Sequence, residues 1–380
     1  MFSMLLAIIY LAFISLGLPD SLLGSAWPVM RGELGVPVSY AGTVSMIIAG
    51  GTILSSLMSD RLTRKLGPGP VTAASTALTA VALLGFSMAG SFAPLCLFAV
   101  PYGLGAGAID AALNNYVALH YRSRHMNWLH CFWGVGAAVS PYIMSACLTG
   151  DFGWRGGYRT VAGIQLVLAA ALFASLPLWN KRTGTEKTAA HRAGKVWKIK
   201  GAKYILIAFF GYCALETTAG LWATSYLVAE RGIAAETAAG YASLFYLGIT
   251  GGRFVCGFVS DRIGDRNMIR LGLAVIAAGT ASLWLPWSGA ALPGLVVAGL
   301  GCAPIYPSII HSTPANFGAE NSQSIVGVQM ASAYTGSTFV PPLFGIIANH
   351  ISLAPYPAFL FFFAVLMFLM TEALNRLQTR

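Results

Sequence analysis

Five side chains that can carry a charge lie inside long apolar stretches of the sequence: Asp20, Asp110, His130, Glu216 and Arg253. A charged group at the centre of a bilayer costs about 2.5–3.5 kcal/mol on insertion scales, so each one needs a partner or a wet cavity. Desolvated carboxyl groups can exchange protons in the working pH range. We therefore expect Asp20, Asp110 and Glu216 to carry coupling protons, with Asp110 as the first choice. Structural hydrogen bonding is the alternative for the two aspartates.

The first apolar segment places an acid, a glycine without a side chain and an aromatic ring on one side of a helix. Asp20, Gly24 and Trp27 stand at positions i, i+4 and i+7, which share one helical face. Such a face suits the wall of a cavity. Pro19 and the nearby glycines predict an irregular helix around Asp20.

Polar residues that could contact a solute cluster in the fourth and fifth apolar segments. Asn114 shares a helical stripe with Asp110. Sugar-binding sites combine an aromatic ring for the apolar face of the sugar with amides and charged groups for its hydroxyls. A histidine there can bind the ligand or titrate near neutral pH. The expected contacts are Asn114, Asn115, Asn127, His130 and Trp133.

The second half of the chain offers a further set of candidate solute contacts. On a regular helix Trp222 lies about 120° from Glu216, so the two share a site only if Gly220 loosens the helix or the cavity wraps around it. Pro304 and Pro307 free backbone carbonyls, which a membrane helix tolerates where neighbours or water satisfy them. Interhelical hydrogen bonding is the alternative role for Tyr306 and Gln329. The candidates are Trp222, Tyr226, Tyr306 and Gln329.

Arg253 is the one basic residue deep inside an apolar segment. A guanidinium group cannot be neutralised in a protein, so its partner must be negatively charged. We expect an ion pair with Glu216 or another acid, which makes Arg253 an intramembrane counter-charge. An anionic substrate is the other possible partner.

The whole composition points to a membrane protein. Of 380 residues 56% are hydrophobic and only 9% are charged, whereas soluble domains are about one quarter charged. A spanning helix needs about 20 apolar residues, so the chain has room for about a dozen spans and no large soluble domain. The apolar start indicates a first spanning helix rather than a removable signal. The six cysteines have no metal-binding spacing, and no Walker, zincin or nucleophile-elbow motif indicates an enzyme.

Twelve apolar segments follow one another along the chain. We predict an all-α polytopic protein with an N-terminal six-helix bundle at 1–178, a polar linker at 179–202 and a C-terminal six-helix bundle at 203–380. The predicted spans are 2–30, 39–59, 70–90, 94–118, 127–149, 158–178, 203–229, 236–259, 269–287, 291–312, 324–349 and 354–376.

The basic residues are distributed unevenly between the two sides of these segments. Of 23 lysines and arginines, 18 fall on the side of the linker and four on the opposite side. Short cytoplasmic loops carry such an excess of positive charge. We therefore expect an inner-membrane protein with both termini in the cytoplasm, and we attribute the net charge of +10 to topology rather than to nucleic-acid binding.

The two halves repeat each other at an almost constant offset. Gly136 and Pro141 recur 200 positions later as Gly336 and Pro341. The run Gly103-Leu104-Gly105 recurs 196 positions later, and Gly50-Gly51 recurs 201 positions later. Ordered matches in segments of equal rank indicate an internal duplication.

The loops after the second and eighth segments read SLMSDRLTRK and GFVSDRIGDR. The second closely resembles the loop signature of the major facilitator superfamily, G-x-x-x-D-R-x-G-x-R, through Gly257, Asp261, Arg262, Gly264 and Arg266. Carboxylates and arginines at helix ends can form charge-assisted links to a neighbouring helix, and such links break when a transporter changes conformation. We expect this loop to act as a conformational gate; a solvated loop is the alternative.

The first of these loops departs from the signature. It keeps Asp60, Arg61 and Arg64, but Ser56 and Thr63 replace the glycines. We expect the same gating role for its charged residues.

The fifth segment has the spacing N-x-x-H-x-x-x-G-x-G-x-x-x-x-P through Asn127, His130, Gly134, Gly136 and Pro141. With the acids of the first and fourth segments, it resembles the fucose permease-like sugar:proton symporter branch of the superfamily. In that branch the residue at His130 is usually an amide.

The resemblance implies the superfamily fold, twelve transmembrane helices in two pseudo-symmetric six-helix bundles that alternate access. It also implies proton-coupled uptake of a small polar solute such as a monosaccharide. Proton-driven efflux of lipophilic or cationic drug-like compounds is the alternative, and a membrane receptor on the same fold is a third. We expect no cofactor and no metal, a proton or else sodium as the coupling ion, a monomer, and only the solute and the bilayer as partners.

Overall fold

The computed structural model describes residues 4–37, 40–183, 196–233, 235–285 and 287–378. Nearly all of these residues are helical, because a helix satisfies every backbone group internally where lipid offers no partner. The helices are α1 (Met4–Gly17), α2 (Leu22–Leu34), α3 (Tyr40–Leu66), α4 (Pro68–Met88), α5 (Phe92–His120), α6 (Ser123–Thr149), α7 (Gly153–Ala174), α8 (Leu176–Thr183), α9 (Ala202–Arg231), α10 (Ala235–Ile263), α11 (Asp265–Ser282), α12 (Ser288–Cys302), α13 (Ile305–His311), α14 (Thr313–Phe317), α15 (Ala319–His350) and α16 (Tyr356–Gln378).

Within the described residues, nine helical stretches are long and apolar enough to cross a membrane. The first of them joins α1 to the start of α2, and another joins α12 to α13. Three further helices, α10, α11 and α15, have 29, 18 and 32 residues and contain more polar positions. With these three, the helices match the twelve predicted segments, and the prediction of an all-helical polytopic fold is confirmed.

The first transmembrane segment is interrupted at its predicted irregular point. α1 ends at Gly17 and α2 begins at Leu22. Between them the amide N–H of Asp20 donates to the carbonyl of Gly17 at 3.2 Å, as in a tight turn. Asp20 and Gly24 are exposed. Trp27 instead lies in the apolar core of its half, so the structure does not bring this ring to the accessible carboxylate of Asp20.

The seventh segment is not broken. α9 runs for 30 residues from Ala202 to Arg231, through Gly220, without interruption. Gly220 therefore does not loosen this helix. Instead, Gly220 provides room for a neighbour, since a Cβ there would overlap the hydroxyl of Tyr246.

The chain forms two compact units. Unit 1 consists of the described residues within 1–116 and 129–191, and unit 2 of those within 117–128 and 192–380. α8 occupies the start of the predicted 179–202 linker, and positions 184–195 of that linker lie outside the described residues. In unit 1, α4 packs against α7; in unit 2, α9 packs against α15 and α16.

Repeated glycines make equivalent close approaches in the two units. A Cβ at Gly136 in α6 would overlap the carbonyl oxygen of Ile14 in α1. The repeat-related Gly336 in α15 packs against α9 in the same way: a Cβ at Gly336 would lie 2.5 Å from the carbonyl oxygen of Phe210. Ile14 and Phe210 lie 196 positions apart. The duplication inferred from the sequence is thus also present in the packing.

A polar cluster joins α2 to α7 in unit 1. The Glu33 carboxylate accepts hydrogen bonds from the Trp154 indole at 2.9 Å and from the Arg155 guanidinium at 2.6 Å. The Trp154 indole, followed by Arg155, holds the pKa of Glu33 below its ordinary value of 4.5. The cluster therefore stabilises unit 1 fully above pH 4.5, and this stabilisation is lost as the pH falls through the lower folded-state pKa.

We expect Glu33→Gln to lower the free energy of unfolding at pH 7 by less than about 1 kcal/mol, because the Glu33–Arg155 ion pair is partly exposed. Thermal unfolding of the purified protein should show this difference at pH 7 and a smaller one near pH 4. Asp151→Asn removes another exposed carboxylate of unit 1 and serves as the control. An equal difference at both pH values would contradict the assignment.

Candidate functional site

Asp20 lies at the break between α1 and α2, with both carboxylate oxygens in use. The Trp133 indole N–H donates to Oδ2 at 2.9 Å, and the Tyr102 hydroxyl donates to Oδ1 at 3.2 Å. Tyr102 is buried, whereas Asp20 is exposed and Trp133 is half-buried. An acid and an indole ring thus share an accessible part of unit 1. Asp20 and Trp133 were both predicted site residues, but neither their pairing nor the contact with Tyr102 was predicted from the sequence.

A second polar chain in unit 1 connects α5 to α6. The Asn114 side chain donates from Nδ2 to Asp110 Oδ1 at 2.7 Å and meets Nε2 of His130 at 3.0 Å with its own Oδ1. Because an amide oxygen can only accept, the His130 tautomer in this bond carries its proton on Nε2. Asp110, Asn114 and His130 are all buried, as is the neighbouring Asn115. Three predicted site residues therefore form one connected network.

Unit 2 contains the buried cation Arg253. Its Nη2 lies 3.8 Å from Glu216 Oε1 and donates to the Tyr212 hydroxyl at 3.3 Å. The Tyr306 ring lies against the guanidinium, with its centroid 5.8 Å from Cζ. Glu216 is thus the acid nearest to Arg253, as the sequence analysis favoured. Tyr212 was not among the predicted residues, although it stands four residues before Glu216 on the same face of α9.

Two candidate aromatic residues of the seventh segment make contacts within the helix packing of unit 2. The Trp222 indole donates to the Pro341 carbonyl at 3.0 Å, and the Tyr226 hydroxyl donates to the Leu283 carbonyl at 2.9 Å. Neither bond involves Glu216. Because α9 is regular, the structure does not bring Trp222 and Tyr226 to the acid.

The remaining polar candidates each retain one buried atom without a partner in the described residues. Gln329 accepts a hydrogen bond from the Thr313 hydroxyl at 3.1 Å, while its Nε2 has no partner. Asn127 donates to the Ser123 carbonyl at 3.1 Å, while its Oδ1 has none. Buried polar atoms of this kind are places for water or a solute group.

The gate residues of the second signature loop bind the segment 117–128 within unit 2. Asp261 at the end of α10 accepts the backbone N–H of Arg124 at 3.1 Å and pairs with its guanidinium at 2.5 Å. Gly257 faces the Trp128 ring, which a Cβ there would overlap. Arg262 and Arg266 are exposed. The signature carboxylate thus links to a neighbouring helix as the sequence suggested.

The carboxylate of the first signature loop makes a contact within its own helix rather than with a neighbouring helix. Asp60 pairs with Arg64, one turn away in α3, at 2.8 Å, and Arg61 is exposed. The departure of this loop from the signature is accompanied by a local ion pair.

A histidine reinforces the second loop. His311 Nδ1 lies 2.6 Å from Asp265 Oδ2, and Nε2 lies 3.0 Å from the backbone carbonyl of Tyr121. Asp265 also accepts the Ser123 hydroxyl at 2.6 Å. A carbonyl can only accept, so Nε2 carries a proton, and a second proton must lie between Nδ1 and the carboxylate. The pair therefore holds one more proton than a neutral imidazole beside a carboxylate.

We expect loss of that proton at alkaline pH to loosen the segment 117–128. The charged groups acting on the ring are Asp265 and, farther away, Asp261. Hydrogen exchange of the backbone amides in this segment should accelerate as the pH rises above 6.5, the ordinary pKa of a histidine. The acceleration should reach up to about tenfold per pH unit beyond the intrinsic pH dependence of exchange. His311→Gln should remove this excess, and His350→Gln should keep it. An unchanged excess in His311→Gln would refute the assignment.

Fold and site together define a class of protein. The chain is a multi-pass helical membrane protein in which two duplicated units bury titratable groups among apolar helices, as secondary transporters do.

The sequence profile of the Major Facilitator Superfamily matches residues 9–289 and 204–374. The chain belongs to this superfamily. Its members are transporters rather than enzymes, and they bind small molecules within the membrane.

Similar proteins agree with this assignment. Membrane protein MosC of Rhizobium meliloti is 26% identical over 334 residues, covering 85% of this chain and 78% of MosC. The cis,cis-muconate transport protein of Acinetobacter baylyi is 25% identical over 297 residues, covering 73% of this chain and 69% of the relative. The solved structure of the E. coli fucose:proton symporter FucP matches the fold with a TM-score of 0.80 over 97% of both chains at 15% identity.

Proposed function

We propose that this transporter carries out proton-coupled uptake of a small polar solute, best represented by a monosaccharide or polyol. The observation that carries the proposal is the network Asp110–Asn114–His130, with hydrogen-bond distances of 2.7 and 3.0 Å. It connects a buried acid to an imidazole on the next helix. A proton on Asp110 changes which acceptors are available to the Asn114 amide. It therefore also changes which hydrogen bonds this amide can make with a solute.

Asp20 and Trp133 supply the complementary contacts in this proposal. The indole ring offers an apolar platform, and the carboxylate offers an acceptor for hydroxyl groups. The fold match to a fucose:proton symporter supports a sugar as the solute and a proton as the coupling ion, as does the sequence resemblance to that branch.

Coupling requires proton and solute to prefer the same conformation. Protonation of Asp20 or Asp110 neutralises a charge in unit 1 and shifts the balance of conformations by the difference in proton affinity between them. The contacts of Asp261 with Arg124 belong to one of these conformations. We place the monomer in the inner membrane with both termini in the cytoplasm, on the distribution of basic residues.

The charge of the solute is a separate question. One relative is named for muconate, a carboxylate, and Arg253 gives unit 2 a buried positive charge. An organic anion is therefore the second candidate.

Counterflow in proteoliposomes tests the proposal. Vesicles loaded with an unlabelled solute are diluted into labelled solute, and saturable exchange identifies a transported class. Sugars, polyols, organic acids and lipophilic cations are compared. Saturable exchange of a sugar or an acid supports uptake of a polar solute. Exchange of hydrophobic cations alone would overturn the proposal in favour of efflux.

A further inference from the structure

A groove runs between α11 and α16, two helices that pack against each other within unit 2. Its volume is about 180 Å³, about six times the roughly 30 Å³ that one water molecule occupies in the liquid. Apart from Arg270, its lining is apolar and consists of Leu273, Ala274, Ala277, Ala364, Val365 and Phe368. The groove exists because three of these six side chains are single methyl groups.

The groove is open toward the outside of unit 2. Ala274 is exposed, and Val365 and Phe368 are 40% and 46% exposed. Apolar side chains exposed on a membrane-spanning helix face the lipid tails. Water does not occupy an apolar groove of this kind, because it needs two to four polar partners. The surrounding bilayer therefore fills the groove with a hydrocarbon chain.

The length of the groove fits one leaflet of the bilayer. From Arg270 to Ala277 it follows α11 for about 10 Å, at about 1.5 Å per residue. This is less than half of the roughly 30 Å hydrocarbon core. Beyond the groove, the rings of Trp284 and Phe361 meet with their centroids 5.6 Å apart. The groove thus takes a stretch of one chain that enters from the end at Arg270.

The end at Arg270 carries a net positive charge. The Arg270 side chain is 44% exposed and donates from Nε and Nη2 to Glu372 at 2.7 and 2.8 Å. These bonds use one edge of the guanidinium, whose Nη1 carries further N–H donors. Arg266, one turn earlier in α11, is exposed and acts electrostatically on the same carboxylate. Two positive charges and one negative charge leave a net charge of +1.

We infer that this groove binds one anionic phospholipid, with its phosphate at Arg270 and Arg266 and one acyl chain along Ala274 and Ala277. The net charge of the site complements the single negative charge of such a lipid, and guanidinium groups match phosphate oxygens. Glu372 is a positioning residue that holds Arg270 at the mouth of the groove. A lipid bound here contacts both helices and stabilises unit 2.

The proposed topology agrees with this ligand. It places the end of α11 at Arg270 on the cytoplasmic side of the membrane, where anionic lipids give the leaflet a negative surface potential. Basic pockets between spanning helices on that side bind acidic headgroups. The inference concerns the lipid-facing surface of unit 2 and is independent of the transported solute.

Two phospholipids with the same acyl chains test the inference. Phosphatidylglycerol has one negative charge, whereas phosphatidylcholine is neutral overall. Their binding to the purified full-length protein in a neutral detergent is measured by native mass spectrometry and by thermal stabilisation. We expect phosphatidylglycerol to bind about fivefold more tightly, as one unit of charge near a membrane surface provides. Glycerol phosphate, which lacks the chains, should not stabilise the protein at the same concentration.

Charge variants distinguish lipid recognition from a purely structural ion pair. Arg270→Gln and Arg266→Gln should each remove the preference for phosphatidylglycerol, a change of about fivefold. Glu372→Gln raises the net charge of the site and should increase the preference. If the ion pair were only structural, both of its variants would change binding in the same direction. Arg159→Gln removes an exposed arginine of α7 and should bind both lipids as the wild type does.

Ala274→Phe tests the groove itself, because it fills the space and keeps every charge. This variant should bind both lipids more weakly and leave the ratio between them unchanged, since the packing of the chain is lost. Equal binding of the two lipids to the wild type would overturn the inference. So would a preference that survives both arginine variants, wild-type binding by Ala274→Phe, or equal stabilisation by glycerol phosphate. If Arg270→Gln does not fold, the exposed Arg266 still provides the charge test.

Discussion

The Asp110→Asn variant should exchange solute across the membrane but should lose accumulation against a gradient. Asparagine keeps the size of the side chain and an oxygen for Asn114, whose Nδ2 lies 2.7 Å from Asp110 Oδ1. It cannot bind the proton that we propose Asp110 to carry. A membrane potential of 100 mV supplies about 2.3 kcal/mol per charge, which supports about 50-fold accumulation of a neutral solute moved with one proton. We expect this ratio to fall to about one.

Uptake driven by an imposed pH gradient and potential, measured beside counterflow in the same vesicles, checks this result. Cys96→Ala provides a control in the same helix, because it changes a half-buried side chain outside the candidate site without removing an acid. Accumulation that persists in Asp110→Asn would assign coupling elsewhere, and Asp20→Asn would then be the variant to compare.

Gly103→Ala should strongly destabilise unit 1. A Cβ at Gly103 in α5 would overlap the carbonyl oxygen of Ile48 in α3 and lie 3.1 Å from the Cα of Gly51. Both are backbone atoms, which move only if a helix moves. Overpacking of this kind costs about 1–3 kcal/mol and occasionally more. The thermal unfolding midpoint should fall by several degrees, as about 1 kcal/mol shifts the midpoint of a large domain by about 2–4 °C.

Gly50→Ala provides the matched control. Nothing lies within 4 Å of a Cβ at Gly50 in α3, and alanine is the better helix former by up to about 1 kcal/mol. This variant should be as stable as the wild type or more so. The repeat-related Gly299→Ala should behave like Gly103→Ala, because its Cβ would overlap the carbonyl of Phe245. Equal stability of the Gly103 and Gly50 variants would contradict the packing argument.

The fold could be predicted from the sequence because two properties of it are periodic. Apolar segments of spanning length recur twelve times, and glycines such as Gly136 and Gly336 recur 200 positions apart. The first property depends on local composition and the second on matches between the two halves, and both can be found in a single sequence. The break at Pro19 and the interruption at Pro304 were predicted for the same reason, since proline lacks the N–H of a helix.

The sequence predicted most residues of the candidate site but only some of the contacts between them. Asp110 and Arg253 were predicted because a charged side chain inside an apolar segment costs free energy unless it has a partner. The bond between Asp20 and Trp133 joins residues 113 positions apart, and no helical period connects positions on different helices. The face expected for Asp20 and Trp27 assumed an unbroken helix, whereas the structure has a turn after Gly17 and buries Trp27 in an apolar core.

Other partners had no signal in the spacing. Tyr102 reaches Asp20 from α5, and Asp265 reaches His311 across 46 positions. Tyr212 is different, because it stands one helical turn before Glu216. The spacing of four residues between Tyr212 and the intramembrane acid Glu216 is a signal in the sequence for this contact.

The proton shared between His311 and Asp265 makes the attachment of the segment 117–128 depend on pH. One pH unit corresponds to about 1.4 kcal/mol of differential stability for one proton. On the topology and the coupling proposed above, this pair faces the compartment that receives a proton with each solute molecule, so the released proton acts on the same contact that holds the segment.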